Sequence, residues 1–176
     1  MENLHHQEQH KFYRSNLFEN RFLEPIDAEY EMPIDTGKPS SPFIARPKIL
    51  LVEDSLMLQT LHIEMLSLIG CKVDLAEDGH EAVAMASKKA YDVIFMDVGL
   101  PRMDGITATK AIRSQELKYH RNVIIALTTH SIEIEKECRD AGIDDFYPKP
   151  IHADMLMNIL KFWLPDLLIR NYGSLN

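Results

Sequence analysis

The sequence predicts an α/β protein, a doubly wound parallel sheet with helices on both faces. Three observations predict it. Short, nearly continuous apolar runs recur, KILLV at 48–52, DVIFMD at 92–97 and NVIIALT at 122–128, of the kind buried on both sides of a parallel sheet. Between them lie segments with apolar or amphipathic character at helical spacing. The two kinds alternate strictly with short connections, which implies right-handed crossovers.

The elements follow in order. Strand 48–52 is followed by a helix over 55–69, SLMLQTLHIEMLSLI, with apolar residues at 58, 61, 65, 68 and 69, Ser55 as N-cap and Gly70 as stop. CKVDLA (71–76) reads as a strand and GHEAVAMASKKA (79–90) as an amphipathic helix. After strand 92–97, DGITATKAIRSQEL (104–117) is a helix, and after strand 122–128, SIEIEKECRDAG (131–142) is a helix with a Gly stop. IDDFYP (143–148) is the fifth strand and HADMLMNILKFWL (152–164) the closing helix.

The flanks differ. Residues 1–46 scatter Pro, Gly, Ser and acids without a sustained period and read as an irregular arm or linker, with one apolar cluster at Phe12, Tyr13, Leu17, Phe18 and Phe22. His5, His6 and His10 have no Cys or matched carboxylates beside them and read as solvated. Residues 165–176 form a tail too short for a DNA-binding domain. Over the whole chain of 176 residues, 45% are hydrophobic and 26% charged, an ordinary globular balance. A formal net charge of −8 gives no overall basic character for nucleic acid or an anionic membrane. Cys71 and Cys138 form no CxxC pair and read as reduced core thiols of a cytoplasmic protein. The polar N-terminus is no signal peptide, and no apolar run is long enough to cross a bilayer.

In an open parallel sheet, sites form beyond the carboxyl ends of the strands. Strand one delivers Glu53 and Asp54, strand three Asp97, strand four Thr128 and Thr129, and strand five runs out to Lys149-Pro150. Strand two delivers Glu77 at a sheet edge. Three carboxylates in a partly dry site call for a cation. Hard oxygen ligands without His or Cys favour Mg²⁺ or Mn²⁺ over Zn²⁺. Metal, ammonium and hydroxyl together suit the three equatorial oxygens of a transferring phosphoryl group. With no P-loop to carry a nucleotide, the nucleophile is read as a side chain, and an Asp carboxylate in that role gives an aspartyl phosphate.

The motifs LLVEDS, DVIFMDVGLPRMDG, IIALTTH and DDFYPKPI, in this order and spacing, resemble those of the two-component response-regulator receiver domain, from Pro47 to about Leu164. The resemblance implies a flavodoxin-like (βα)5 sheet with strand order 2-1-3-4-5 and a domain over 47–164. It implies that Asp97 is the phosphoacceptor, that Asp54 binds Mg²⁺ directly and Glu53 through water, and that the backbone carbonyl of Gly99 is a further metal ligand. Thr128 would be the switch hydroxyl, Phe146 the switch aromatic, and Lys149 the phosphate-binding lysine before a cis Pro150. The implied partners are a histidine kinase or histidine phosphotransfer protein and a downstream protein, with no direct nucleic acid or membrane contact. The chain would be a stand-alone regulator or the receiver of a hybrid histidine kinase. It would assist its own phosphorylation and dephosphorylation, without being an enzyme in the metabolic sense.

Three positions depart from the family's commonest pattern: Glu53 opens the acidic pair, Gly99 lacks a side chain, and Thr129 replaces a small Ala. Gly99 and His130 flank the expected phosphoryl group and are expected to govern its lifetime. A Mg²⁺-dependent aspartyl-phosphate phosphatase is the alternative, but it wants an acid two residues after the nucleophile, where Gly99 stands. A flavin-binding protein of the same fold would need a Ser/Thr/Gly-rich loop where this chain has EDSLM.

Overall fold

The computed structural model describes residues 41–116, 121–129 and 133–168. Ten elements alternate along them: β1 (Lys48–Val52), α1 (Leu56–Ile69), β2 (Lys72–Ala76), α2 (Gly79–Ala86), β3 (Val93–Asp97), α3 (Gly105–Gln115), β4 (Val123–Thr128), α4 (Glu133–Ala141), β5 (Asp145–Pro148) and α5 (Ala153–Trp163). A 3₁₀ turn, Pro165–Leu167, follows. All strand pairings are parallel, in the order β2-β1-β3-β4-β5. The doubly wound sheet with order 2-1-3-4-5 is therefore found as expected. No helix among the described residues is long and apolar enough to cross a membrane.

Alternate residues of the central strands feed two cores. Ile49, Leu51, Phe95, Ile125 and Leu127 pack with Leu66 of α1 and Leu156 and Leu160 of α5. Leu50, Ile94, Met96, Ile124 and Ala126 pack with Ala82 of α2, Ala108 and Ile112 of α3 and Cys138 of α4. Burial on both faces explains why these strands read as continuous apolar runs.

The helix ends follow local chemistry. Asp78 and Asp104 cap α2 and α3 by accepting from the backbone N–H groups of Glu81 and Thr107, at 2.9 and 2.8 Å. Gly70 closes α1 in the left-handed conformation, φ 101°. Ser55 stands at the cap of α1, but its side chain makes no capping bond. Helix α2 stops at Ala86, short of the expected residue 90. Beyond it, Lys89 pairs with Asp74 of β2 and lies 4.9 Å over the Tyr91 ring. Two expected helix ends, Leu117 and Ser131, fall outside the described residues.

Helix α1 requires a correction. Of the expected face, residues 58, 61, 65, 68 and 69, only Ile69 is buried; α1 buries it together with Gln59, His62 and Leu66. Leu61 and Leu68 are 42% and 68% exposed. Apolar residues surround this helix on more than one side, so periodicity alone could not orient it. The two polar residues turned inward make its true packing face look like a surface in the sequence.

Two flanks assigned to the arm and the tail pack on the body. Phe43 is 5% exposed and joins the α1/α5 core. It forms an antiparallel bridge with Leu168, and the Ile44 N–H donates to the Leu167 carbonyl at 2.7 Å. At the amino ends of β4 and β5, Arg113 ties three segments together. Its guanidinium donates to Asp144 (2.7 Å), Glu116 (2.5 Å) and the carbonyls of Asn122 (2.8 Å) and Gly142 (2.9 Å).

Candidate functional site

The register of the sheet brings the chemistry to one edge. Val52 pairs with Met96, Asp97 with Leu127, and Thr128 with Pro148, so β1, β3, β4 and β5 end together. Glu53 and Asp54 follow β1, Asp97 closes β3, Thr128 closes β4, and Lys149 follows β5. The Lys149–Pro150 peptide bond is cis. Glu53, Asp97 and Thr128 are buried, Lys149 is half-buried, and Asp54 is exposed at the mouth.

Lys149 organises the interior of the site. Its ammonium donates to Asp97 Oδ2 and to Glu53 Oε2, both at 2.6 Å. The Gly99 N–H donates to Asp97 Oδ1 at 2.9 Å, so both oxygens of Asp97 are engaged and its plane is fixed. Burial pushes the Glu53 carboxyl up, against the opposing pull of Lys149. Burial by itself would lower Lys149; its hydrogen bonds to Asp97 and Glu53 outweigh this and hold the ammonium above its ordinary range.

The donor set fits a divalent cation. One carboxylate oxygen each from Glu53, Asp54 and Asp97 lies within 4.8 Å of the others. Of these three acids, Glu53 and Asp97 share the ammonium of Lys149. All donors are hard oxygens, and Asp54 stays open to water, which suits an ion that keeps part of its hydration shell.

The turn after Asp97 explains the sequence GLPRMDG. Gly105 starts α3 directly against β3, and a Cβ there would sit well inside contact distance of the Asp97 carbonyl oxygen and 2.9 Å from Met96 Cγ. Gly105→Ala is therefore expected to cost about 1–3 kcal/mol, because backbone has to move. Denaturant unfolding measures the loss. An unchanged midpoint would show that α3 has slack at this end. Arg102, in the same turn, adopts φ 65° and pairs with the buried carboxylate of Asp78.

The remaining expected residues separate. Phe146 is half-buried on β5, with the Arg139 guanidinium of α4 5.8 Å from its ring centre. Gly99 is exposed, and a Cβ there would meet only Asp97 Oδ1, at 3.7 Å. Thr129 is exposed, and His130 lies outside the described residues. Two residues escape a reading of the sequence. Gln59 donates to the Glu53 carbonyl at 2.8 Å. His62 is buried one turn further along α1, and its Nδ1 has no hydrogen-bond partner among the described residues. Burial, then the charge of Lys149, lowers the His62 pKa. Neither carries a motif, and with Thr60, Glu64 and Ser67 on the same helix nothing in the sequence singles them out.

Known proteins resemble the chain over this region. A family model for the response regulator receiver domain matches residues 49–161. The chain is 46% identical over 119 residues to probable histidine kinase 2 of Oryza sativa, an alignment covering 58% of this chain and 11% of that one. It thus spans about a tenth of the length of that relative. It is 39% identical over 123 residues to two-component response regulator 24 of Arabidopsis thaliana, covering 68% of this chain and 86% of the relative. Among solved structures, it resembles the receiver domain of a Pseudomonas aeruginosa sensor histidine kinase with magnesium coordinated in its active-site cleft, at 41% identity and TM-score 0.64, covering 69% of this chain and 99% of that one. It also resembles a Saccharomyces cerevisiae receiver domain co-crystallised with a histidine phosphotransfer protein, at 27% identity and TM-score 0.62, covering 71% of this chain and 94% of that one.

Proposed function

The chain belongs to the response regulator receiver domain family, and from that premise we propose that Asp97 accepts a phosphoryl group from a phosphohistidine on a histidine kinase or phosphotransfer protein. The observation that carries this reading is the Lys149 ammonium bridging Asp97 and Glu53 at the carboxyl edge of the sheet. An Asp97 oxygen attacks phosphorus, a P–O bond forms as the P–N bond breaks, and the donor imidazole keeps the electron pair and takes a proton from solvent. Glu53, Asp54, Asp97 and the Gly99 carbonyl would hold Mg²⁺, which supplies charge neutralisation for the transferring group. Lys149 then exchanges one carboxylate partner for a phosphoryl oxygen. The Thr128 hydroxyl donates to another.

The new bonds bias the surface of α4, β5 and α5 that carries Phe146, and a downstream protein reads the result. The chain turns over only its own carboxylate and is not an enzyme in the metabolic sense. Two unpaired, buried cysteines, Cys71 and Cys138, support a reducing, cytoplasmic setting. Radiolabelled phosphotransfer from a phosphohistidine protein, followed by hydroxylamine release of the label, tests the assignment. Label that resists hydroxylamine would rule out an acyl phosphate.

The outer face of α1 supports the protein-donor part of the reading. Leu56 and Met57, two and three positions after Asp54, are each 77% exposed, with Leu61 and Leu68 further along the helix. An apolar face beside the acceptor suits a helical partner. Met57→Glu is expected to slow transfer from a protein donor about tenfold, the effect of a single interface anchor. Phosphorylation by acetyl phosphate, which needs no docking, should be unchanged. Equal slowing with both donors would place the defect in the chemistry instead.

A further inference from the structure

Helix α1 turns an amide toward the sheet where packing alone would be served by a leucine. Gln59 is 5% exposed, and its Nε2 donates to the Glu53 carbonyl oxygen at 2.8 Å. That carbonyl belongs to the peptide plane joining Glu53 to Asp54. Any turn of the plane swings both carboxylates away from Asp97. Among the described residues, the other bonds at this stretch fall on its side chains and its flanks: the Lys149 ammonium donates to Glu53 Oε2 at 2.6 Å. The Ser55 N–H donates to Glu53 Oε1 at 3.2 Å, the Glu53 N–H to the Ala76 carbonyl at 3.1 Å, and the Ser55 side chain contributes no cap. The first turn of the helix therefore grips this loop twice through Gln59, whose backbone N–H also donates to the Ser55 carbonyl at 2.8 Å. A buried amide is costly without a partner, and this one finds its partner on the segment that carries the acids.

We infer that Gln59 is a positioning residue for the cation-binding carboxylates, locking the Glu53–Asp54 peptide so that both acids face Asp97. The inference rests on the proposal that these carboxylates hold a divalent cation. Gln59 touches no reacting atom and acts only through the backbone it holds.

The test is Mn²⁺ titration, followed by loss of the free-ion paramagnetic resonance signal, together with amide hydrogen exchange of the metal-free protein. Gln59→Met keeps the length and removes the donor, whereas Gln59→Asn keeps the amide and falls one methylene short. Both are expected to bind Mn²⁺ about tenfold more weakly, the usual scale for a residue behind a metal ligand. Both should also exchange the Ser55 amide faster. Leu66→Ala, on the same buried face, is expected to lower stability while leaving Mn²⁺ affinity unchanged. That contrast separates positioning from general loosening.

Wild-type affinity and unchanged exchange in either folded Gln59 variant would overturn the inference. So would equal weakening in Leu66→Ala. If Gln59→Met does not fold, Gln59→Asn decides. Asp54→Asn tests the premise separately: if it binds Mn²⁺ as well as wild type, the cation site is misassigned and the inference falls with it. In that case the exchange data still show whether Gln59 holds the loop.

Discussion

Asp97→Asn is expected to take up no phosphate from any donor while keeping the fold. The change is nearly isosteric. It leaves one oxygen to accept a hydrogen bond from Lys149 or from the Gly99 N–H, and removes only the nucleophilic charge. Lys149 retains Glu53 as an ion partner, so no charge is stranded. Losing one of the two bonds at Asp97 sets the stability change at about 1 kcal/mol. Intact-mass spectrometry after incubation with a phosphohistidine donor reads the uptake, and denaturant unfolding reads the fold. Phosphate uptake by a folded Asp97→Asn protein would place the acceptor elsewhere.

Arg113→Met should produce the largest loss of stability, about 3–5 kcal/mol, the scale for breaking one side of a buried ionic network. The Arg113 side chain is 13% exposed, and its partners Glu116 and Asp144 are 11% and 8% exposed. Without the guanidinium, both carboxylates remain enclosed, with Arg121 still reaching Asp144 from solvent. The carbonyls of Asn122 and Gly142 also lose a donor. Urea unfolding measures the effect. A loss under about 1 kcal/mol would mean that the network is solvated and behaves as a surface salt bridge. The network lies at the amino ends of the strands, so the folded fraction of Arg113→Met should still bind divalent cations normally.

Much of the site was legible because its chemistry sits where strand logic puts it. Each of Glu53, Asp54, Asp97 and Thr128 ends or follows an apolar run, Lys149 follows the short strand DFYP, and parallel pairing gathers those ends. The order of strands was not legible from periodicity and came from the family resemblance. What stayed hidden was what depends on orientation or on long-range contact. The rotation of α1 was lost because Leu61 and Leu68 satisfy a helical period as well as Leu66 and Ile69 do. The Arg113 network joins residues 113, 116, 122, 142 and 144, and no local pattern marks such a meeting. Phe43 lies in a stretch whose composition resembles a linker, and only the packed core reveals its place.

The bridge between Phe43 and Leu168 has a consequence for how such a domain is carried. The polypeptide arrives and departs as two neighbouring antiparallel segments, about 5 Å apart, the separation of paired strands. A fold with adjoining ends can be spliced into a loop of a host protein without prising that host open. The same geometry makes it a natural cassette for engineering. A short peptide could join the ends and new termini be opened in a surface loop, leaving the sheet uncut.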